Sequence, residues 1–178
     1  MVRYENKYRI EEDICYIDCI NPVGELKGTI IIDTNDIPLV KKYNWHIEDS
    51  RKDLQYAKTS RNTEHNKTLR MHRLFLPTAP QVDHINHNGL DNRRCNLRAC
   101  NNRENNCNKD FTKNSPLSGH TGIRFNPKVG SYYVRIMVNK KEVSLGHYKS
   151  LEAAVEARKQ GEIKYFGNFR YKDTVMTC

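Results

Sequence analysis

The chain has 178 residues, of which 37% are hydrophobic, below the ~45–50% usual for a globular domain, so one thick core is not expected. Lys and Arg number 30 against 21 Asp and Glu, giving +9 and a pI near 9.3, a balance that favours a polyanionic partner such as nucleic acid. No stretch approaches the ~18 apolar residues of a membrane span, and MVRYENKYRIEED is too charged for a signal peptide. The expectation is therefore a protein of the cytoplasm with no membrane association, its six cysteines free thiols. The charge is uneven: residues 1–65 carry a net −2, residues 66–114 a net +5 and residues 115–178 a net +6. Contact with a polyanion belongs to the last two thirds, with the first third as scaffold.

In chain order, Cys15–Ile20 and Thr29–Ile32 are short, β-branched and bounded by Asn21-Pro22, Gly24 and Gly28, which predicts a β-rich start. Thr34-Asn35-Asp36 can cap a helix over Ile37–Tyr43, leading to Trp45, the single Trp, read as a core anchor. A polar stretch from Glu48 to Asn66 predicts a hairpin around Leu54–Lys58. Leu69–Leu76 reads as a strand end and then a short helix carrying His72 and Arg73, stopped by Pro77. Residues 83–108 hold nine Asn interleaved with Ile85, Leu90 and Leu97, too many for ordinary turns. KDFTKNSPLSG, 109–119, reads as a linker.

The last segment is the most periodic. Tyr132, Val134, Ile136 and Val138 alternate with Tyr133, Arg135 and Met137 over Ser131–Val138, the period of a strand with one buried face. Asn139-Lys140-Lys141 turns the chain, Glu142–Leu145 returns it and Gly146 breaks it, with Gly122–Asn126 pairing on the other side. Ser150 caps a helix over Leu151–Phe166 whose Leu151, Ala154, Val155, Ile163 and Phe166 face one way.

Chemistry concentrates at Val82-Asp83-His84-Ile85, where a strand end offers a hard oxygen beside an imidazole, as metal-assisted hydrolysis needs. The run VDHINHNGLDNRRCNLR followed by NNRENNCN, with MHRL at 71–74, resembles the HNH endonucleases, in the branch of phage and intron-encoded homing nucleases. That resemblance covers about residues 66–108 and implies a two-stranded ribbon and a helix around one divalent ion on the scissile phosphate. It makes Asp83 and Asn105 metal ligands, His84 the general base and Asn96 the residue that orients the imidazole. Two hard oxygens suit Mg²⁺ or Mn²⁺ better than Zn²⁺. Arg93, Arg94 and Arg98 are then placed to hold flanking phosphates. Where the family commonly has Gly, this chain has His87, and Cys95, Cys100 and Cys107 form no C-x-x-C pair, so a structural zinc is not expected.

A second resemblance covers about residues 119–169. GIRFNPKVGSYYVRIMVNKKEVSLGHYKSLEAAVEA, ending in KYFGNF, is similar to the ethylene-response-factor type DNA-binding domain, which also occurs attached to HNH nucleases. It implies that the sheet face opposite the helix enters the major groove, here through Arg124, Asn126, Lys128, Tyr133, Arg135, Met137 and Ser144. Asn126, Met137 and Ser144 replace arginine and tryptophan positions of the plant motif, so its target sequence does not carry over.

The expectation is an α+β protein: a β-rich N-terminal support (1–65), a ββα-metal HNH core (66–108), a linker (109–118) and a three-stranded antiparallel sheet packed on one helix (119–178). Its function is metal-dependent hydrolysis of phosphodiester bonds in double-stranded DNA, by nicking and as a monomer, in a bacterial or phage-infected cell. The alternative is a non-catalytic, sequence-specific DNA-binding regulator that retains an HNH fold.

Overall fold

In the computed structural model, residues 5–21, 23–51, 54–59, 68–108 and 119–170 are described. The linker expected at 109–118 lies outside them. They fall into two compact units, one ending at Asn102 and one starting at Arg103. The fold is α+β, with antiparallel strands in several small sheets and few helices.

The first unit opens with an antiparallel sheet of β1 (Lys7–Glu11), β2 (Ile14–Ile20) and β3 (Leu26–Asp33), in that order. Alternation along β2 sends Cys15, Ile17 and Cys19 inward, and Ile30 and Ile32 of β3 join them. Each buried isoleucine contributes roughly 1.5–3 kcal/mol. A 3-10 turn over Thr34–Asp36 leads into α1 (Ile37–Val40), shorter than the sequence predicts. Asp36 caps nothing with its side chain, because its carboxylate is bound by Arg94. β4 (Trp45–Arg51) and β5 (Leu54–Thr59) form a hairpin. Trp45 is buried, and its indole Nε1 donates to Val40 O at 2.9 Å.

Arg70 bridges to Lys58 at the edge of β5, and α2 (His72–Phe75) follows at once, with His72 and Phe75 buried. β6 (Gln81–His84) and β7 (Leu97–Cys100) pair antiparallel with Asp83 opposite Arg98 and His84 opposite Leu97. One core runs through the whole unit: Met71, Phe75, Leu90 and Leu97 pack with Cys15, Ile17, Ile30, Ile32, Val40, Trp45 and Ile47. Cys15, Cys19, Cys100 and Cys107 are free thiols, whereas Cys95 is disulfide-bonded, which corrects the all-thiol expectation there.

α3 (Asn102–Cys107) starts at the last residue of the first unit and otherwise belongs to the second. The second unit continues with a sheet of β8 (Ile123–Asn126), β9 (Ser131–Val138) and β10 (Lys141–Tyr148), antiparallel with β9 central. Asn139 and Lys140 both take left-handed φ values, 53° and 63°, as a two-residue turn between β9 and β10 requires. Gly146 does not end β10. It takes φ 115° at a register shift between Ser144 and Gly146, and pairing resumes to Tyr148.

α4 (Leu151–Phe166) lies across β9 and β10, its first turn capped by Ser150 Oγ, which accepts from Ala153 N at 3.2 Å. Its buried stripe differs from the apolar pattern. Ile163 is exposed, while Arg158 and Gly161 are buried. A Cβ at Gly161 would lie 2.5 Å from Leu145 Cδ1, so helix and sheet approach closely there and a larger residue requires the leucine side chain to shift. Arg158 is tolerated inside because it donates to Arg135 O and to Glu162 Oε1. Among the described residues no helix is long and apolar enough to cross a membrane.

Candidate active site

β6 ends in two consecutive buried polar residues, Asp83 at 6% and His84 at 6% exposure. Such residues need partners. The Asp83 carboxylate accepts from Arg98 Nε and Nη2 at 2.8 and 2.6 Å through Oδ2, across the strand pair that puts these residues opposite each other. Arg98 thus neutralises the buried charge, and its side chain is itself mostly buried.

His84 Nε2 lies 3.4 Å from Asn92 Oδ1. Burial lowers its pKa from the ordinary imidazole value, with Asn92, Asp83 and Asp91 opposing in that order, so the ring is neutral near pH 7. The ring also meets His72 edge-on at 5.2 Å between centroids, and Tyr56 at 5.9 Å. Burial also lowers the pKa of His72, to about 3. Tyr56 contacts both imidazoles and carries the Arg70 guanidinium over its ring at 4.7 Å.

The long connection from β6 to β7 is fixed by its asparagines. Asn96, which the HNH resemblance assigns to the imidazole, turns to the loop instead: Oδ1 accepts from Asn86 N at 3.0 Å and Nδ2 donates to Asp91 O at 2.7 Å. One partner of the imidazole is Asn92, wholly buried, whose Nδ2 donates to Gly89 O and Leu90 O. Ile31 of β3 grips the same segment, donating to Leu90 O at 2.9 Å and accepting from Asn92 N at 2.7 Å. The acidic N-terminal third is therefore wired into the loop, since Asp33 accepts from Arg94 N at 2.8 Å and Asp36 from the Arg94 side chain at 2.7–3.2 Å.

The three arginines expected at phosphates each bond a carboxylate. Arg93 forks onto Asp91 at 2.9 and 2.7 Å, Arg94 onto Asp36, and Arg98 onto Asp83. Only the Arg94 side chain among them is more than half exposed, at 58%. His87, at the loop tip, is exposed with φ 64°, a left-handed conformation that Gly adopts more easily. Asn105, the other expected metal ligand, is half-buried on α3 in the second unit. Among the described residues no three His, Cys, Asp or Glu side chains form a group able to hold a metal.

In the second unit, strand register puts Arg124, Tyr133 and His147 in one row, and Arg135 beside Ser144 in the next, all on one face of the sheet. Met137 lies on this face and is 53% exposed. Asn126 and Lys128 shape the β8–β9 turn, with Asn126 Oδ1 accepting from Lys128 N at 3.1 Å. Sequence reading missed Glu142, paired with Met137 on the same face. It accepts from Tyr133 Oη at 3.0 Å and forms an ion pair with Arg135, which together hold its carboxyl below the usual range.

Sequence reading also missed Asn92, Asp91, Tyr56 and the role of His72. Asn92 and Asn96 both follow His84 within one irregular loop, where no period says which amide faces the ring. Comparison with protein-family models, with curated proteins and with solved structures finds no match for this chain.

Proposed function

We propose that this protein is a metal-dependent DNA endonuclease of the HNH type, whose first unit holds the hydrolytic residues and whose second-unit sheet face holds the duplex. The observation that carries the reading is the adjacency on β6 of a buried carboxylate and a buried, neutral imidazole. Structural ion pairs need no imidazole beside them, and core histidines need no carboxylate. The conjunction suits a general base that works at neutral pH next to a site of negative charge.

Asp83 offers a carboxylate oxygen, a hard donor that suits Mg²⁺ or Mn²⁺ and would hold it; Asn105, the second ligand that the resemblance implies, belongs to the other unit. A carboxylate accepts about four bonds, so pairing with Arg98 and holding a cation are compatible. When bound, the ion supplies stabilisation of the charge that builds on the phosphate during attack. His84 takes the proton of the attacking water as its oxygen bonds to phosphorus; the phosphorus–oxygen bond to the leaving sugar breaks, and that oxygen takes a proton from solvent. Arg94, the most exposed of the three loop arginines, is the one best able to reach a flanking phosphate. In the second unit Arg124, Tyr133, Arg135 and Ser144 face the duplex, with Asn126 and Lys128 at the turn. One such site cuts one strand per engagement, so a monomer nicks.

A non-catalytic DNA-binding regulator is favoured by one feature, the carboxylate partner that each loop arginine already has. Supercoiled plasmid separates the two. Open-circular product with Mg²⁺ or Mn²⁺, abolished by EDTA and by His84→Ala, supports the enzyme. Binding without any conversion supports the regulator.

A further inference from the structure

We propose that Arg70 and Lys58 form a phosphate clamp one aromatic ring away from His84, which seats a phosphate of the cleaved strand flanking the scissile one. The inference rests on the nuclease reading for its chemistry and on the β4–β5 hairpin for its geometry.

The hairpin has one buried face and one that carries charge. Trp45 opposite Thr59 and Ile47 opposite Ala57 are buried, so alternation along the strands sends Glu48, Tyr56 and Lys58 to the other side. Arg70 joins them there, because it bridges antiparallel to Lys58 at the edge of β5. The two cations then meet the same carboxylate. Lys58 Nζ donates to Glu48 Oε1 at 2.7 Å, and Arg70 Nε and Nη2 donate to Glu48 Oε2 at 3.2 and 2.9 Å. These bonds, that of Lys58 foremost, hold the Glu48 carboxyl below its usual range, so two positive charges face one negative charge. The loop arginines, by contrast, pair with a different carboxylate each. Lys58 belongs to the stretch 1–65, whose net charge of −2 gave it the part of a scaffold; strand register, not composition, sets this cation beside Arg70.

Donors remain for a second anion. A guanidinium has five N–H groups and an ammonium three, and Glu48 occupies two of the first and one of the second. Among the described residues Arg70 Nη1 has no partner, and the Arg70 side chain is 45% exposed. Phosphate oxygens accept from a guanidinium fork in the geometry that charge-assisted pairs prefer.

Tyr56 ties the clamp to the imidazole. The Arg70 guanidinium lies over the Tyr56 ring at 4.7 Å, and that ring meets His84 at 5.9 Å and His72 at 5.8 Å. Stacking fixes the plane of the guanidinium before a ligand arrives, which lowers the ordering cost of binding. The ring is itself confined, because the loop backbone abuts it: a Cβ at Gly89 would lie 2.7 Å from Tyr56 Cδ1. Successive phosphates of one strand advance about 3.4 Å along the duplex, so a cation at the remove of one ring serves a neighbour of the phosphate under attack and leaves the attacked one clear for His84. Holding that neighbour fixes the strand against the base, and placement of this kind acts on rate.

The test uses the full chain with ¹⁵N-labelled arginine, in which the Nε–H signal of Arg70 is identified by its loss in Arg70→Lys. Addition of a short mixed-sequence DNA duplex is expected to move that signal in the unsubstituted protein. A signal that stays in place while the complex forms overturns the proposal, and so does a protein that binds no duplex. Plasmid nicking supplies the second readout. Arg70→Gln is expected to lower the single-turnover rate at saturating protein about tenfold or more. Glu48→Gln, which breaks the same ion pair but leaves both cations, is expected to hold the parent rate or exceed it. Equal losses in the two variants would make the cluster a brace for the hairpin and overturn the clamp. A duplex that moves the Arg70 signal without any nicking by the parent protein sinks the nuclease reading and leaves the phosphate contact standing.

Discussion

The two units handle polar side chains in opposite ways. In the first, Asp83, His84, Asp91, Asn92 and Asn96 are all buried and each has a bonded partner; in the second, Arg124, Arg135, Glu142 and Ser144 stand on an open sheet face. Burial raises the stakes of every charge, because removing one partner strands the other, whereas water screens an exposed pair. On the proposed function, the first unit fixes the direction and protonation of a few groups and the second meets the charged duplex. Substitutions should divide along the same line: changes in the first unit should alter rate or stability, and changes in the second should alter affinity and its salt dependence.

The largest expected effect breaks catalysis without touching binding. His84→Ala should lower nicking ~10²–10⁴-fold, the usual contribution of a general base, with DNA affinity by fluorescence anisotropy unchanged. Arg135→Ala should do the reverse, weakening affinity by about 1–3 kcal/mol while the single-turnover rate at saturating protein holds. Equal losses of affinity in the two proteins would erase the division of labour. Next in size, Arg98→Met leaves the Asp83 carboxylate buried without its counter-charge and should cost about 3–5 kcal/mol of unfolding free energy in urea. Breaking the exposed Arg135–Glu142 pair should cost a small fraction of that, and a comparable loss at both sites would show that burial is not what separates them.

Much of this arrangement was legible before the structure, and the parts that were not share a cause. Strands β2, β3 and β9 and helix α4 announce themselves because period-2 and capped 3.6-residue patterns follow directly from one buried face. Asp83 and His84 were visible as a pair at a strand end. Which amide faces the ring was not visible, since the connection from β6 to β7 is irregular and its geometry is set by Ile31, more than fifty residues earlier in the chain. The apolar stripe on α4 misplaced Ile163 for a related reason: the stripe is completed by Arg158, whose hydrogen bonds to Arg135 O and Glu162 no hydropathy pattern records. Long-range polar pairing is the information a local reading lacks.

Acid should also separate the units. His72 and His84 are buried neutral, so their folded pKa values lie below that of an unfolded imidazole, ~6.5. As pH falls below 6.5 the unfolded chain takes up protons that the folded unit refuses, and stability falls. His72 alone should cost about 1.4 kcal/mol per pH unit, continuing towards its folded value of about 3. His46 is shifted in the same direction, chiefly by burial, and adds to the slope. Urea unfolding followed by Trp45 fluorescence between pH 7 and 5 should show the decline, and His72→Phe should flatten it; an unchanged slope in that variant would mean His72 is not held neutral.

The smallest effect sharpens the account of the second unit. Glu142 is the acid on a face otherwise read as cationic, and it holds Arg135 and Tyr133 in place while repelling phosphate. Those two consequences oppose each other, and their balance shows in the salt dependence. If charge repulsion dominates, Glu142→Gln should tighten binding to unrelated duplexes by a few fold and steepen the loss of affinity with added salt, because one more basic side chain is released to displace counterions. If ordering dominates, the variant should bind all duplexes less tightly at every salt concentration. Because the pair is exposed, screening limits either outcome to well under the effect of His84→Ala. A sheet face proposed to meet a duplex, with an acid on its edge strand beside its cations, should lose more on phosphate than it gains on order, so the first outcome is expected.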